Sequence, residues 1–169
     1  MGLAHIDETV FVPDATNTRL LRDAFGQFAT GVTVVTARGP AGVVAMTANS
    51  FASVSLDPAL VLWSPARASR RFEAFVQAAH FAIHIMGADQ ADLAFAIARH
   101  GPAVADAPMG ENAEGVPILH HCLARFDCAR HAVHAGGDHA IVVGAVVRAS
   151  LRSGAPLAFF NGKVGRIEH

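Results

Sequence analysis

Met46-Thr-Ala-Asn-Ser-Phe-Ala-Ser-Val-Ser-Leu-Asp-Pro-Ala-Leu-Val-Leu62 carries no charge before Asp57. Five hydrogen-bonding side chains, Thr47, Asn49, Ser50, Ser53 and Ser55, fall within nine residues of its first half. Phe51 and Val54 alternate, imperfectly, with the serines. After the Asp57-Pro58 turn, Leu60 to Trp63 is a short continuous apolar run. Turn chemistry between two short apolar segments predicts strand, turn and buried strand. The whole charge-free stretch, Gly39 to Leu56, is 18 residues long but holds Pro40, Asn49 and several hydroxyls. It does not read as a membrane-spanning helix, which needs about 20 apolar residues.

Upstream, Val32, Val34 and Val35 lie in a Thr/Val run whose β-branched side chains suit a pleated surface. Arg38-Gly-Pro-Ala-Gly42 turns this run into a second strand candidate, Val43 to Ala48, giving a hairpin. Before it, Asp14 to Asn17 offers helix caps, and Leu20, Leu21, Ala24, Phe25 and Phe28 recur at helical spacing up to about Gly31. Residues 1–17 read as an arm and 18–169 as one domain. Downstream, Ser69 to Ala78 and Asp89 to His100 read as helices flanking a strand at Phe81, Ile83 and Ile85. Gly101 to Pro117 reads as a long loop, and loops of this length are often functional. Ile118 to Ile167 reads as three or four strands, clearest over Ala140 to Val147, with Gly154-Ala155-Pro156 separating the last two. Seven or eight strands without regular crossover helices predict a mainly β fold, an antiparallel barrel with peripheral helices.

Composition narrows the function. The 169 residues are 52% hydrophobic and 16% charged, with net charge -1, eleven Phe and no Tyr. Such a chain has no electrostatic footprint for nucleic acid. No basic region precedes an apolar run at the N-terminus, and no membrane segment is expected. Two cysteines, Cys122 and Cys128, make no disulfide framework, so a cytoplasmic location is the expectation. The apolar surplus points to a subunit interface, a ligand cleft, or both.

No dinucleotide-binding glycine fingerprint, phosphate-binding loop or nucleophile elbow is present. Five histidines crowd residues 120–139, but Cys122-x5-Cys128 fits no common zinc spacing, so no metal is expected. The hydroxyls of 47–55 can hold a phosphate or ribityl chain, or make turn and cap bonds only. Arg67 and Ser69, just before a predicted helix, add a possible anion site. Asp138 beside His139, at a glycine-flanked turn, can fix that histidine's tautomer, or can be an ordinary turn pair.

Several segments in order resemble one family. Ala29-Thr-Gly-Val-Thr-Val-Val-Thr-Ala37, the Met46–Leu62 run, Phe81 to Gln90, Gly137-Asp-His-Ala-Ile-Val-Val-Gly144 and Pro156-Leu-Ala-Phe-Phe160 resemble the flavin reductase family with an FMN-binding split barrel. These are small reductase components of two-component monooxygenases. The resemblance covers about residues 18–167. It implies a Greek-key split β-barrel, a homodimer, and hydride transfer from NADH or NADPH to FMN or FAD for a partner monooxygenase. An alternative is an electron carrier that binds flavin without direct NAD(P)H turnover. By position it implies flavin contacts from Thr47, Ala48, Asn49, Ser50 and Phe51. Ser53, Ser55, Arg67 and Ser69 fall at the phosphate. Asp138 and His139 lie near the nicotinamide, with His139 the catalytic candidate, and Phe159 is at the ring-stacking strand. Phe159 and Val164 stand where aromatic or Tyr positions are common, the segment after Ala98 is Gly/Pro/acidic, and Arg125-Phe-Asp-Cys128 replaces a more apolar strand start.

Overall fold

The structure is a computed structural model and describes residues 8–101 and 109–167. Among these, twelve strands and three α-helices form. Residues 8–17 are irregular, followed by α1 (Thr18–Gly26) and the two-residue β1 (Thr30–Gly31). Then come β2 (Thr33–Gly39), β3 (Gly42–Ala48), β4 (Ala52–Leu56) and β5 (Ala59–Trp63). Next are α2 (Phe72–Gln77), β6 (His80–Ile85), α3 (Ala91–His100), β7 (Met109–Glu111) and β8 (Pro117–Leu119). The last third is two long strands, β9 (Ala124–Gly136) and β10 (His139–Leu151), and a closing hairpin, β11 (Leu157–Phe160) and β12 (Lys163–Arg166).

Seven strands form one antiparallel sheet in the order β3-β2-β6-β9-β10-β5-β4. Its edge strands, β3 and β4, are consecutive in sequence and joined by residues 49–51 only. Four Cα–Cα steps reach at most roughly 14 Å. Opposite edges of a flat seven-stranded sheet would lie roughly 29 Å apart. The sheet therefore has to curl until its edges meet, which is the barrel the sequence predicts, split along a seam at 49–51.

Strand alternation sorts side chains into two cores. Val35, Ala37, Val61, Trp63, Phe81, Ile83 and Val142 fill the barrel, and Phe75 of α2 plugs it. Trp63 meets Phe75 edge-on at 4.9 Å between centroids, a favoured aromatic geometry. The opposite face of β2 and β3, with Val34 and Ala45, packs on Ala94 and Ile97 of α3 and on Leu157. In β6 both faces are buried, so His84, which alternates with the apolar positions, is also inside.

Several expectations are corrected. The Ser69–Ala78 helix is shorter, Phe72–Gln77, because residues 69–71 form turns. The Gly101–Pro117 loop contains β7 and the first residue of β8, which pair as a hairpin; the rest of its first half lies outside the described residues. Gly154 to Pro156 separates β10 from β11, while the last two strands turn at 161–162. Helix α1 ends five residues earlier than the pattern suggests, and Phe25 and Phe28 stay exposed.

Candidate functional site at the barrel seam

Three clefts meet at Asn49. The first, about 240 Å³, lies between Thr47 and Ala48 of β3, Ala94, Phe95 and Ala98 of α3, and Leu157, Phe159 and Val164. The second, about 410 Å³, is bounded by Arg22, Asp23 and Phe25 of α1, Thr30, Phe159 and Asn161. The third, about 340 Å³, is walled by Thr33, Phe51, Ile85 and Phe126. Asn49 lines all three, and Phe159 divides the first two. Phe51 and Phe126 are nearly parallel, 5.7 Å apart. Small side chains on β3 and α3 leave the room, and aromatic rings supply flat walls. This suits a planar aromatic ligand with a polar edge.

The hydroxyls of the opening stretch divide. Thr47 Oγ1 donates to the Ala94 carbonyl at 2.7 Å and ties α3 to β3. Ser50 Oγ accepts the Ser64 N–H at 2.9 Å and ties the seam to the end of β5. Ser69 Oγ accepts the Arg71 N–H at 3.2 Å, a local turn bond. Of these three only Ser69 makes a turn bond; the bonds of Thr47 and Ser50 are tertiary ties between elements. Asn49, Ser53 and Ser55 make no side-chain hydrogen bond among the described residues. Ser53 and Ser55 sit on the edge strand β4 and line none of the three clefts.

From Ser64 the chain runs to the β9–β10 turn. Ala66 bridges to His139, and Ala140 N–H donates to the Pro65 carbonyl at 3.1 Å. Arg67 N–H donates to the Asp138 carbonyl at 2.8 Å and its Nε–H to the Gly137 carbonyl at 3.1 Å. The structure thus brings Arg67, Asp138 and His139 together. It gives no helix-end anion site there, since α2 is six residues long and starts only at Phe72.

His139 Nδ1 lies 2.7 Å from Asp138 Oδ1. An ionised carboxylate only accepts, so Nδ1 carries the hydrogen and Nε2 is left for a ligand. The hydrogen bond to His139 holds the Asp138 carboxyl below its ordinary range, and the charges of His139 and Arg22 add to this. That last effect also places Arg22 of α1 in the field of the turn.

Arg22 and Phe126 were not anticipated as site residues. Arg22 gave no signal beyond a charge on a helix. Phe126 shares a strand face with Cys128, which period-two counting could have found. Both cysteines are buried; burial pushes the Cys128 thiol up to about 12 and raises that of Cys122. Among the described residues no three His, Cys, Asp or Glu side chains converge as metal ligands would.

A split barrel with an aromatic-walled seam and an Asp-fixed histidine agrees with what comparison shows: residues 25–168 match the flavin reductase like domain, and the chain belongs to that family. It is 55% identical over 160 residues to SmoA of Agrobacterium fabrum, an FMN reductase (NADH), covering 95% of this chain and 92% of that protein. It is 36% identical over 160 residues to HsaB of Rhodococcus jostii, the reductase subunit of a flavin-dependent monooxygenase, covering 92% and 80%. The NADH:FAD oxidoreductase SgcE6 of Streptomyces globisporus superposes with a TM-score of 0.87 at 32% identity, covering 97% and 95%.

Proposed function

We propose that this protein uses NADH to reduce FMN and passes the reduced flavin to a partner flavin-dependent monooxygenase. The observation that carries this reading is the cluster of three clefts on Asn49. Their fit to flavin is supported by Thr30, whose buried Oγ1 has no hydrogen-bond partner in the wall of the second cleft. A ring edge bearing nitrogen and carbonyl oxygen would satisfy such an orphan.

The chemistry at the site is a hydride passing from the reduced nicotinamide to flavin N5. Residues of the chain contribute geometry. Ala48, Asn49 and Phe51 flank the ring, Phe159 offers a π-face between two clefts, and the edge hydroxyls Ser53 and Ser55 remain for the phosphate. His139, fixed by Asp138, orients the nicotinamide. Alignment of donor and acceptor supplies much of the rate in such transfers. The active form is a homodimer: Val54 and Leu56 of β4 and Val147 and Leu151 of β10 are exposed apolar side chains, Leu56 to 97%. A second copy would cover them.

The test is NADH oxidation in air by the purified protein with added FMN, followed by loss of reduced-nicotinamide absorbance. Sustained turnover is expected. No turnover with FMN or FAD and either nicotinamide donor overturns the reading, and a monomeric mass by sedimentation overturns the dimer.

A further inference from the structure

We infer that Arg67 is a positioning residue for His139, holding the β9–β10 turn in place, and not a ligand of the flavin phosphate. The inference rests on the proposed flavin reduction for its functional meaning and on the geometry of the turn for its existence.

That turn is the tip of a long hairpin, each arm of which has 13 residues. Its outermost residue, Asp138, is 93% exposed at its side chain. Gly137 takes φ +68°, the left-handed conformation that a tight turn needs. Tips of long hairpins fray unless something outside the hairpin holds them. Here β5 pairs with β10 as far as Trp63–Val142, and beyond that, among the described residues, the hydrogen bonds to the tip from outside the hairpin come from residues 65–67. Pro65 accepts from Ala140, and Arg67 closes on the far side with its N–H on Asp138 and its Nε–H on Gly137. The guanidinium carbon lies 5.3 Å from the centre of the Phe72 ring, within cation–π reach. The side chain thus has its Nε–H on a backbone carbonyl and its face towards a ring, while its terminal N–H groups make no hydrogen bond among the described residues. It thereby fixes two backbone positions beside the imidazole whose Nε2 is to meet the nicotinamide. The same segment is anchored to the seam through Ser64 and Ser50. Arg67 therefore couples the donor's histidine to the flavin's strand.

The experiment is Arg67→Gln in the full chain, measured four ways. Dissociation constants for FMN and riboflavin come from flavin fluorescence. Steady-state constants for NADH come at saturating FMN. The same constants are taken in the His139→Ala background, and amide hydrogen exchange is followed at Arg67 and Ala140. A positioning role predicts that kcat/KM for NADH falls about tenfold, the scale of one lost hydrogen bond. It predicts an unchanged ratio of FMN to riboflavin affinity. It predicts no added loss once His139 is gone, since residues acting through one another are non-additive. It also predicts about tenfold faster exchange of the two amides, as local opening becomes easier. Weaker FMN binding with riboflavin unaffected would make Arg67 a phosphate ligand and overturn the proposal. A full additional loss in the His139→Ala background would overturn it as well. Should the wild-type protein not oxidise NADH at all, the proposed activity fails on that assay alone. Amide exchange then decides the clamp, faster exchange in the variant supporting it and unchanged exchange refuting it.

Discussion

The seam at 49–51 and the wall opposite it treat polar groups in contrary ways. On the wall, the side chains of Thr36, His84, Asp127 and Arg38 find partners inside the chain, while Trp63 Nε1 in the barrel core is left without one among the described residues. Thr36 Oγ1 donates to the Pro117 carbonyl. Fully buried His84 donates from Nδ1 to the Val34 carbonyl at 2.8 Å and accepts the Leu119 N–H on Nε2 at 3.0 Å. Asp127, 1% exposed, is held by Arg125 and Arg148, and Arg148 also reaches Glu114. Arg38 pairs with Glu111 and donates to the Gly115 carbonyl. Together these fasten the β7–β8 hairpin onto the barrel. At the seam, Asn49 has no side-chain partner among the described residues and Thr30 Oγ1 is an orphan. A satisfied polar network builds scaffold, because it leaves nothing for a ligand to pair with. A buried unsatisfied group that borders a cleft, as Thr30 Oγ1 does, marks where a ligand can pair.

This contrast can be broken by measurement, and the largest effect belongs to the scaffold. Phe81→Ala empties a fully buried ring site beside Trp63 and should cost about 3–5 kcal/mol in urea unfolding, with the remaining folded protein still turning over. Next is acid. Burial lowers the His84 pKa from 6.5 to about 4. The unfolded chain then binds a proton that the folded chain refuses, so stability is full above pH 6.5 and falls as pH drops towards about 4. The loss from this group is about 3 kcal/mol at most. Unfolding free energies across that window, with the ring followed by NMR, would expose the idea as wrong if the imidazole titrated near its ordinary value.

The seam should answer in kinetics instead. His139→Ala is expected to lower kcat/KM for NADH about a hundredfold, roughly 2.7 kcal/mol, while flavin affinity stays within about tenfold. A collapse of flavin binding would move His139 from the donor to the flavin. Asn49→Ala should weaken flavin about tenfold, yet leave the unfolding free energy within about 0.5 kcal/mol of wild type, as expected for a surface position. A matching loss of stability would place Asn49 with the scaffold. Smallest of all, Arg38→Gln removes an exposed pair and should cost about 0–1 kcal/mol.

The barrel was legible because its signals are local. Arg38-Gly-Pro-Ala-Gly42 marks the β2–β3 turn, Gly136-Gly137-Asp138 marks the β9–β10 turn, and the β-branched runs do the rest. Strands β7 and β8 were missed because three residues each are too few to show a period, and the ties from Thr36, His84 and Arg38 that hold them are distant in sequence. In the site, Asn49 and Phe51 fall on one cleft because they lie two residues apart in the chain. That Ser50 and Thr47 would tie elements together could not be read, because the partners of these hydroxyls are set by tertiary contact, whereas the Ser69 bond to Arg71 is local. The bond from Arg67 to Gly137 spans 70 residues, and nothing in either segment announces it.

The shortness of the seam also has a consequence in time. Residues 49–51 join two sheet edges, but the sheet closes only when β5 pairs with β10, as Trp63 does with Val142. Pairings this far apart in sequence are the slow part of folding. A flavin that binds across the seam therefore meets its site only after closure. It is expected to slow the opening of the finished barrel and to leave the rate of its formation unchanged, acting as a late lock and not as a template.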